Sequence, residues 1–233
     1  MIAGIMQPYF LPYLGYWQLM NAVDTYVVYD DVNYIKRGWI NRNRILMNGQ
    51  ASYINIPLLK ASQNKLINEI FLNDDRTMMK KSIKSIEMVY KKAPYFKDAF
   101  PVIQSILCDI EENNVALFLM KSFIPICQYL DIKTEFIFSS SLNKNNFLKG
   151  ESKIIEICKI LGASDYYNAV GGRELYHKSM FENEKISLYF LKPNEVRYQQ
   201  FYNEFVPNLS IIDVLMFNPQ NRVIDMLNEY TLL

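Results

Sequence analysis

The first part of the chain has two apolar runs separated by a segment with helical spacing. Residues 1–6, "MIAGIM", form a short apolar run, and residues 25–31, "TYVVYDD", form a second one that ends in two aspartates. Between them, over residues 15–23, apolar positions cluster on one helical face. Strand, turn, helix and strand in this order form a βαβ unit, which predicts two neighbouring parallel strands.

The same pattern analysis extends along the chain. Two β-rich runs around "NGQ" in residues 43–57 predict a hairpin. Residues 76–131 have helical periodicity that proline and asparagine interrupt, which predicts a helical subdomain. Strands are predicted in "KTEFIFSSS", "SDYYNAVGG" and "ISLYFLKP", and helices in "GESKIIEICKILGA", "LSIIDVLMFN" and "NRVIDMLNEYTLL". The first of these helices has Glu151 or Ser152 as its expected N-cap and Gly162 as its expected C-cap.

Strands that alternate with helices predict an α/β fold. We expect a three-layer sandwich around a parallel, Rossmann-like sheet, with the helical segment at about 76–131 as an insertion. The 233 residues suit one domain spanning 1–233.

Composition narrows the choice of partners and compartment. The net charge is +1, which does not favour a nucleic-acid partner. The three cysteines are widely spaced and form no CxxC pair, so reduced thiols and a cytoplasmic location are expected. Met1 leads directly into an apolar strand without a basic segment, and no apolar run reaches the ~20 residues that span a bilayer.

Several catalytic devices have no counterpart in the sequence. His177 is the single histidine, so a histidine-based zinc site is not expected and no metal site is predicted. Neither a G-x-S-x-G elbow, a P-loop nor a G-x-G-x-x-G fingerprint is present. The sequence leaves the cofactor open, with ATP and Mg²⁺ as one candidate.

The densest group of cations lies in "KRGWINRNR", directly after the two aspartates. Guanidinium groups and asparagine amides are suitable donors to phosphate or carboxylate, which predicts an anion-binding loop. The alternative is a solvated loop with Trp39 packed into the core. The residues concerned are Lys36, Arg37, Asn41, Arg42 and Arg44.

Polar residues at strand ends are further candidates. Asp30 and Asp31 could hold Mg²⁺ or a substrate ammonium group, or one of them could cap the following loop, and they need not point to the same face. Gly171 and Gly172 indicate either a turn or the close approach of a ligand to the backbone. Lys149 or Lys153, at a helix start, could hold an anion.

Asp213 lies in a strongly apolar helical run. An ionisable group there needs a partner, so it is either a member of a buried ion pair, for example with an arginine, or a site residue.

Four segments together resemble the WbqC-like family: "MQPYFLPYLGYW", "VYDDVNYIKRGWINRNRI", "GGRELY" and "FVPNLSIIDVLMFN". The resemblance covers nearly the whole chain. It implies a role in bacterial O-antigen or other surface-polysaccharide synthesis, and transfer of glycine or another amino acid to a polysaccharide sugar has been suggested for the family.

The opening motif is also similar in layout to the HIGH-type nucleotidylyltransferases and pantothenate synthetases. Those enzymes have histidines in the turn after the first strand, whereas this chain has Gln7, Tyr9 and Tyr16 as the polar groups there. We expect the aromatic residues to line a pocket into which Gln7 points, or else to plug the core.

These observations lead to two hypotheses. In the first, the protein is a transferase that forms an amide between an activated amino acid and an amino sugar or nucleotide-sugar, with Gln7, Asp30 and Asp31 at the reaction. The remaining candidates would bind substrate: Tyr9, Tyr16, Lys36, Arg37, Asn41, Arg42, Gly171, Gly172, His177 and Asp213. In the second, the protein binds a nucleotide-sugar without catalysis or organises other enzymes. A homodimer is compatible with either.

Overall fold

The computed structural model describes residues 1–73, 75, 77–108, 112–201 and 204–233. The strands in these ranges are β1 (Ile2–Met6), β2 (Thr25–Val28), β3 (Arg42–Met47), β4 (Gln50–Asn55), β5 (Leu58–Leu59), β6 (Phe71–Leu72), β7 (Glu135–Phe138), β8 (Asp165–Ala169), β9 (Ser187–Pro193) and β10 (Tyr230–Leu232). The helices are α1 (Leu14–Asn21), α2 (Thr77–Tyr90), α3 (Phe96–Cys108), α4 (Val115–Leu130), α5 (Gly150–Leu161), α6 (Lys178–Glu182), α7 (Ile211–Phe217) and α8 (Gln220–Met226).

A six-stranded sheet forms the centre, in the order β10-β9-β8-β1-β2-β7. The five strands from β9 to β7 are parallel, and only the edge strand β10 is antiparallel to its neighbour. The predicted pairing of the first two strands is therefore confirmed, with Ala3 opposite Thr25 and Met6 opposite Val28.

Apolar side chains cover both faces of this sheet, which makes the molecule a three-layer α/β sandwich, as predicted. One face packs against α5 and α6 through residues such as Ile154, Ile157 and Phe181. The other face packs against the larger group of helices that includes α1, α4 and α7. All four residues of β2 are buried, as expected for a central parallel strand with both faces covered.

The order of the strands creates a switch point between β1 and β8. From β1 the chain proceeds to β2 on one side, and from β7 it returns through α5 to β8 on the other side of β1. In open α/β sheets, ligands bind beyond the carboxyl ends of the strands at such a point. The segments that leave β1, β2, β7 and β8 therefore define the edge where a site is expected.

Local sequence signals account for the connections. Asn48 and Gly49 join β3 to β4 with positive φ values of 52° and 75°, the conformation that a tight hairpin turn requires. Gly162 ends α5 in the left-handed conformation at φ 67°, which confirms the predicted C-cap.

Three expectations need correction. The last segment is not helical to its end, because residues Tyr230–Leu232 pair with β9 and complete the sheet. Helix α5 begins at Gly150, and its N-cap position is Lys149 without a side-chain cap, rather than Glu151 or Ser152. The short helix α6 was not anticipated. Helices α2, α3 and α4 lie within the predicted helical segment 76–131, of which residues 76 and 109–111 lie outside the described residues.

Candidate functional site

The turn after β1 is fixed by hydrogen bonds to its own carbonyl groups. The Asn43 amide donates to the carbonyls of Phe10 and Leu11 at 2.9 and 3.0 Å, and the Trp17 indole donates to the Pro12 carbonyl at 3.0 Å. Phe10, Leu11 and Trp17 are fully buried. Much of the aromatic motif is therefore core, and it holds the turn in one conformation.

Two candidate residues of this turn remain at its outer side. Gln7 and Tyr9 are half-buried, whereas Tyr16 is buried beneath them. The Tyr16 hydroxyl donates to the Gln7 carbonyl at 2.7 Å, and its ring centroid lies 5.3 Å from that of Tyr9. Tyr16 thus supports the position of Gln7, and the Gln7 side chain follows directly after β1 at the switch point.

Asp30 is buried at the end of β2 and is fully hydrogen-bonded. Its carboxylate accepts from the backbone N–H and the hydroxyl of Ser140 at 2.9 and 2.6 Å, and from the Asn68 amide at 3.3 Å. Ser140 follows β7, so this carboxylate ties the ends of two neighbouring strands together.

Asp31 points to different partners, two lysines that are almost completely buried. The ammonium groups of Lys144 and Lys153 lie 2.8 and 3.0 Å from the same oxygen, Oδ2, and their side chains are only 1% and 7% exposed. Lys144 also donates to the Ser139 carbonyl, and Lys153 donates to the Asp31 carbonyl at 3.1 Å. Two ammonium groups this close make Asp31 a poor ligand for Mg²⁺.

The two lysines decide the charge state of Asp31. Burial on its own raises the pKa of this carboxyl, but Lys144, the nearby Ser139 hydroxyl and Lys153 outweigh burial and hold the pKa below its ordinary value. The Ser139 hydroxyl approaches Asp31 without reaching hydrogen-bond geometry, so Asp31 Oδ1 and Ser139 Oγ are both buried without a hydrogen-bond partner. Asp31 is therefore ionised, with one oxygen paired and one available as an acceptor.

The start of α5 lies at the same edge of the sheet. It carries Glu151 and Lys153, and Glu151 contacts His177. Lys153 is in the first turns of α5, and its ammonium nitrogen lies 5.1 Å from the centroid of the Tyr29 ring. Glu151 accepts from the His177 backbone N–H, and its Oε2 lies 3.3 Å from His177 Nδ1. The His177 side chain is 77% exposed, so its ring reaches solvent beside the helix start.

The two glycines after β8 differ in how closely the rest of the protein packs against them. A Cβ at Gly172 would lie 2.8 Å from the amide nitrogen of buried Asn168, so internal packing demands glycine there. A Cβ at Gly171 would meet nothing within 4 Å, and its φ is not in the left-handed region. Nothing inside the protein therefore requires glycine at 171, which leaves its backbone open to solvent at the switch point.

The segment "KRGWINRNR", residues 36–44, is here called the basic loop and continues this edge. Its Arg42 and Arg44 side chains are already hydrogen-bonded to backbone carbonyls. Arg42 donates from Nε to the Gly38 carbonyl at 3.1 Å and from a terminal nitrogen to the Arg37 carbonyl, so it braces the loop. Asn41 accepts from the Tyr34 hydroxyl at 2.8 Å and is likewise part of the scaffold. The Phe10 N–H donates to the Trp39 carbonyl at 2.9 Å, which attaches the loop to the turn after β1.

Lys36 and Arg37 are exposed at the tip of this loop, and Arg44 donates to the Asn208 carbonyl at 3.2 Å. Among the described residues, the carboxylates of Asp30 and Asp31 bond to serine, asparagine and lysine side chains and not to these cations.

Asp213 lies in the core and is not paired with an arginine. Its carboxylate accepts from the hydroxyls of Tyr90 and Tyr198, both at 2.8 Å, and from the Gln200 amide at 2.6 Å. It is completely buried on α7, and these three neutral donors take the place of the ion pair that the sequence suggested.

Pattern analysis missed Lys144 and Ser140. Both follow β7 in "SSSLNK", as the two aspartates follow β2. The available signal was polar residues directly after an apolar strand, but nothing local reveals that β7 is the neighbour of β2.

Comparisons with known proteins identify a family and a relative of this chain. The model of the WbqC-like protein family matches residues 7–224. The chain is 27% identical over 217 residues, 92% of each chain, to "Uncharacterized protein Rv1507c" of Mycobacterium tuberculosis. No solved structure matches this chain. In the ranges that the structure describes, no helix has the length and apolar character to cross a bilayer, and no three His, Cys, Asp or Glu residues are grouped as metal ligands.

Proposed function

The chain belongs to the WbqC-like protein family, and on this basis we propose that it is a transferase of surface-polysaccharide synthesis. It joins an activated amino acid, of the glycine type, to the amino group of a sugar or nucleotide-sugar. The resemblance supports the pathway, and the arrangement at the carboxyl edge of the sheet supports the kind of ligand.

The observation that carries the proposal is the set of groups at the switch point. Gln7 leaves β1, Gly171 leaves β8 with an open backbone, and Lys153 lies in the first turns of α5 against Asp31. A helix start and a lysine favour an anionic group, and an open glycine backbone admits one closely. A nucleotide-sugar provides such a group in its diphosphate, which Lys36 and Arg37 would approach from the loop.

The proposed reaction forms one C–N bond. The sugar amine attacks the acyl carbon of the activated amino acid, the activating group leaves with the bonding electrons, and the amine loses a proton. We assign the orientation of the amine to Asp31, whose Oδ1 is a buried acceptor without a partner. We assign the proton to His177, whose exposed ring is oriented by Glu151. Gln7 would hold the acyl carbonyl.

One observation favours a second function. The carboxylate of Asp30 is fully occupied by Ser140 and Asn68, and that of Asp31 is held by two lysines. Carboxylates that are held in place by side chains of the protein suit a rigid binding site as well as a catalytic one. The alternative is therefore a non-catalytic nucleotide-sugar-binding or scaffold protein of the same pathway.

Two glycine variants test the site. Gly171→Ala adds a methyl group that meets nothing in the protein, so stability should be unchanged. If a nucleotide-sugar approaches this backbone, calorimetric titration should show binding weaker by about tenfold or more, which is about 1.4 kcal/mol. Gly162→Ala, at φ 67° on the far end of α5, is the matched control and should lower stability by ~1 kcal/mol without changing binding.

Equal nucleotide-sugar binding by Gly171→Ala and the parent protein would remove the switch point as the site. Mass spectrometry of an amino sugar incubated with glycyl adenylate, with and without the protein, separates the two functions. A product heavier by one glycyl group supports the transferase, and binding without a product supports the scaffold.

A further inference from the structure

Charge is divided unequally along the chain. Residues 32–97 contain 13 lysines and arginines but only four aspartates and glutamates, a net charge of +9, whereas the other residues together carry −8. Two basic segments make up this part, residues 32–68 and residues 76–97, and each has a net charge of +6. An asymmetry of this size points to a negatively charged partner.

The two basic segments are in contact, because α2 packs on the β3–β4 hairpin. The Ser82 hydroxyl donates to the Asn55 carbonyl at 3.1 Å, and the Leu46 N–H donates to the Tyr90 hydroxyl at 3.0 Å. The packed side of α2 is formed by its four buried residues, Met79, Ser82, Ile86 and Tyr90. The opposite side of the helix is therefore an outer surface of the molecule.

This outer side of α2 combines lysines with a methionine at helical spacing. Lys80, Lys84 and Met88 follow one another every four residues, and Thr77 and Lys81 lie on the same side of the helix. All five residues are exposed, and 67% of Met88 is accessible to solvent. Among the described residues, neither Lys80 nor Lys84 is in a salt bridge, so both ammonium groups are available to a partner.

Lysines and apolar side chains continue at the two ends of the helix. Lys91 and Lys92 follow α2 directly and are exposed, and Met78 in its first turn is 44% exposed. Residues 77–97 contain six lysines and a single carboxylate residue, Glu87. Exposed methionines among lysines suit a partner that is both anionic and apolar.

We propose that α2 binds the surface of an anionic phospholipid bilayer and holds the protein at a membrane by this side. The ammonium groups of Lys80 and Lys84 would lie at the lipid phosphates, and Met88 would enter the boundary between headgroups and acyl chains. Lipid headgroups diffuse within the leaflet, so the lysines need no fixed spacing to be matched. The inference is independent of the proposed function.

Nucleic acid fits the same face less well. Proteins read base edges with guanidinium or amide side chains, and they hold single strands by stacking bases on aromatic rings. The outer side of α2 has neither kind of group, because its aromatic residue, Tyr90, is buried. Met88 contributes nothing to phosphate binding, whereas it gains free energy by leaving water for a lipid layer.

The test is co-sedimentation of the protein with vesicles of phosphatidylcholine alone or mixed with an equal part of phosphatidylglycerol. Binding to the mixed vesicles is expected, and salt should weaken it. Lys80→Gln/Lys84→Gln should bind them about tenfold or more weakly, because each lysine at an anionic surface contributes about fivefold. Lys178→Gln/Lys192→Gln removes two exposed lysines outside residues 32–97 and, as the matched control, should bind like the parent protein.

Two variants of one residue test the apolar contact. Met88→Gln keeps the length of the side chain and its suitability for a helix but makes it polar, and should weaken binding about fivefold. Met88→Leu keeps the apolar character and should bind like the parent. Circular dichroism checks each variant, and the fold should be unchanged because Lys80, Lys84 and Met88 are all exposed.

The proposal is overturned if the mixed vesicles do not bind the protein, if phosphatidylcholine vesicles bind it as well, or if both double-lysine variants lose binding equally. Equal binding by Met88→Gln and Met88→Leu would also overturn it, because charge alone would then hold the protein. An oligonucleotide of equal charge that binds more tightly than the mixed vesicles would assign α2 to nucleic acid instead.

Discussion

The carboxylate of Asp213 allows the sharpest prediction about stability. It is completely buried and accepts three hydrogen bonds, from Tyr90, Tyr198 and Gln200. These bonds connect α7 with the end of α2 and with the long segment that follows β9. Replacing Asp213 therefore perturbs contacts between parts of the chain that are far apart in sequence, and leaves the carboxyl edge of the sheet unchanged.

The structure sets the size of the effect. In Asp213→Asn, the remaining carbonyl oxygen can still accept from Tyr198 and Gln200, but an amide N–H₂ then faces the Tyr90 hydroxyl. Leaving the buried Tyr90 hydroxyl without its acceptor should lower the free energy of unfolding by about 1–3 kcal/mol. Asp213→Ala leaves all three donors without an acceptor and should lower it by about 4 kcal/mol or more.

The pH dependence has a definite sign. Burial raises the pKa of Asp213 above its ordinary value, although the hydrogen bonds from Tyr198, Gln200 and Tyr90 act in the opposite direction. The folded protein therefore keeps this proton to a higher pH than the unfolded chain, whose pKa is about 3.9. The group favours the folded state most at low pH, and this contribution decreases as pH rises through the folded pKa. Asparagine does not titrate, so the difference in stability between the parent and Asp213→Asn should be largest near pH 4 and narrow toward pH 8.

Urea unfolding between pH 4 and pH 8, followed by circular dichroism, measures these differences. Asp131→Asn is a matched control, because Asp131 is 70% exposed and its φ of 57° suits asparagine as well. Its stability should stay within about 0.5 kcal/mol of the parent. A difference for Asp213→Asn that grows with pH, or an alanine variant as stable as the parent, would refute this account of the network.

Two further changes extend the reasoning to the sheet edge and the first turn. Asp31→Asn leaves Lys144 and Lys153 buried without their anion and should lower stability by about 3–5 kcal/mol at neutral pH. Because the pKa of Asp31 is lowered in the folded protein, the loss of stability should have its largest value above about pH 4 and should shrink as pH falls through the folded pKa. A loss of stability that stays the same in acid would contradict this account of Asp31. Gly15→Ala places a Cβ 2.6 Å from the Pro193 ring and 2.8 Å from the Tyr13 ring, so thermal unfolding should report a loss of about 1–3 kcal/mol. If Gly15→Ala melts with the parent, the turn is less tightly packed than the structure indicates.

Much of the fold was readable from the sequence, because its signals are local. The two apolar runs around a helical segment specify a βαβ unit, and the alternation of strands and helices specifies the layered architecture. "NG" between two β-rich runs specifies the hairpin, and Gly162 specifies the end of α5. Family membership was also evident from four motifs, and the family model confirmed it.

The candidate site was readable only in part. The positions of Gln7, Asp30, Asp31 and Gly171 at strand ends could be predicted, because parallel strands place their carboxyl ends at one edge. The sequence could not predict which of these residues are already bonded or packed within the protein and which can contact a ligand. The sequence distinguishes Gly171 from Gly172 in no way, whereas the structure shows that only Gly172 is packed against Asn168.

The tertiary structure alone decided the pairings between distant residues. Lys153 meets Asp31 across 122 positions, and Tyr90 meets Asp213 across 123. A periodic pattern records which face of an element is buried, because residues three or four apart in a helix, or two apart in a strand, lie on the same face. It does not record which element covers that face. Strand order and helix packing settle that, and they place two lysines on one carboxylate and three neutral donors on another.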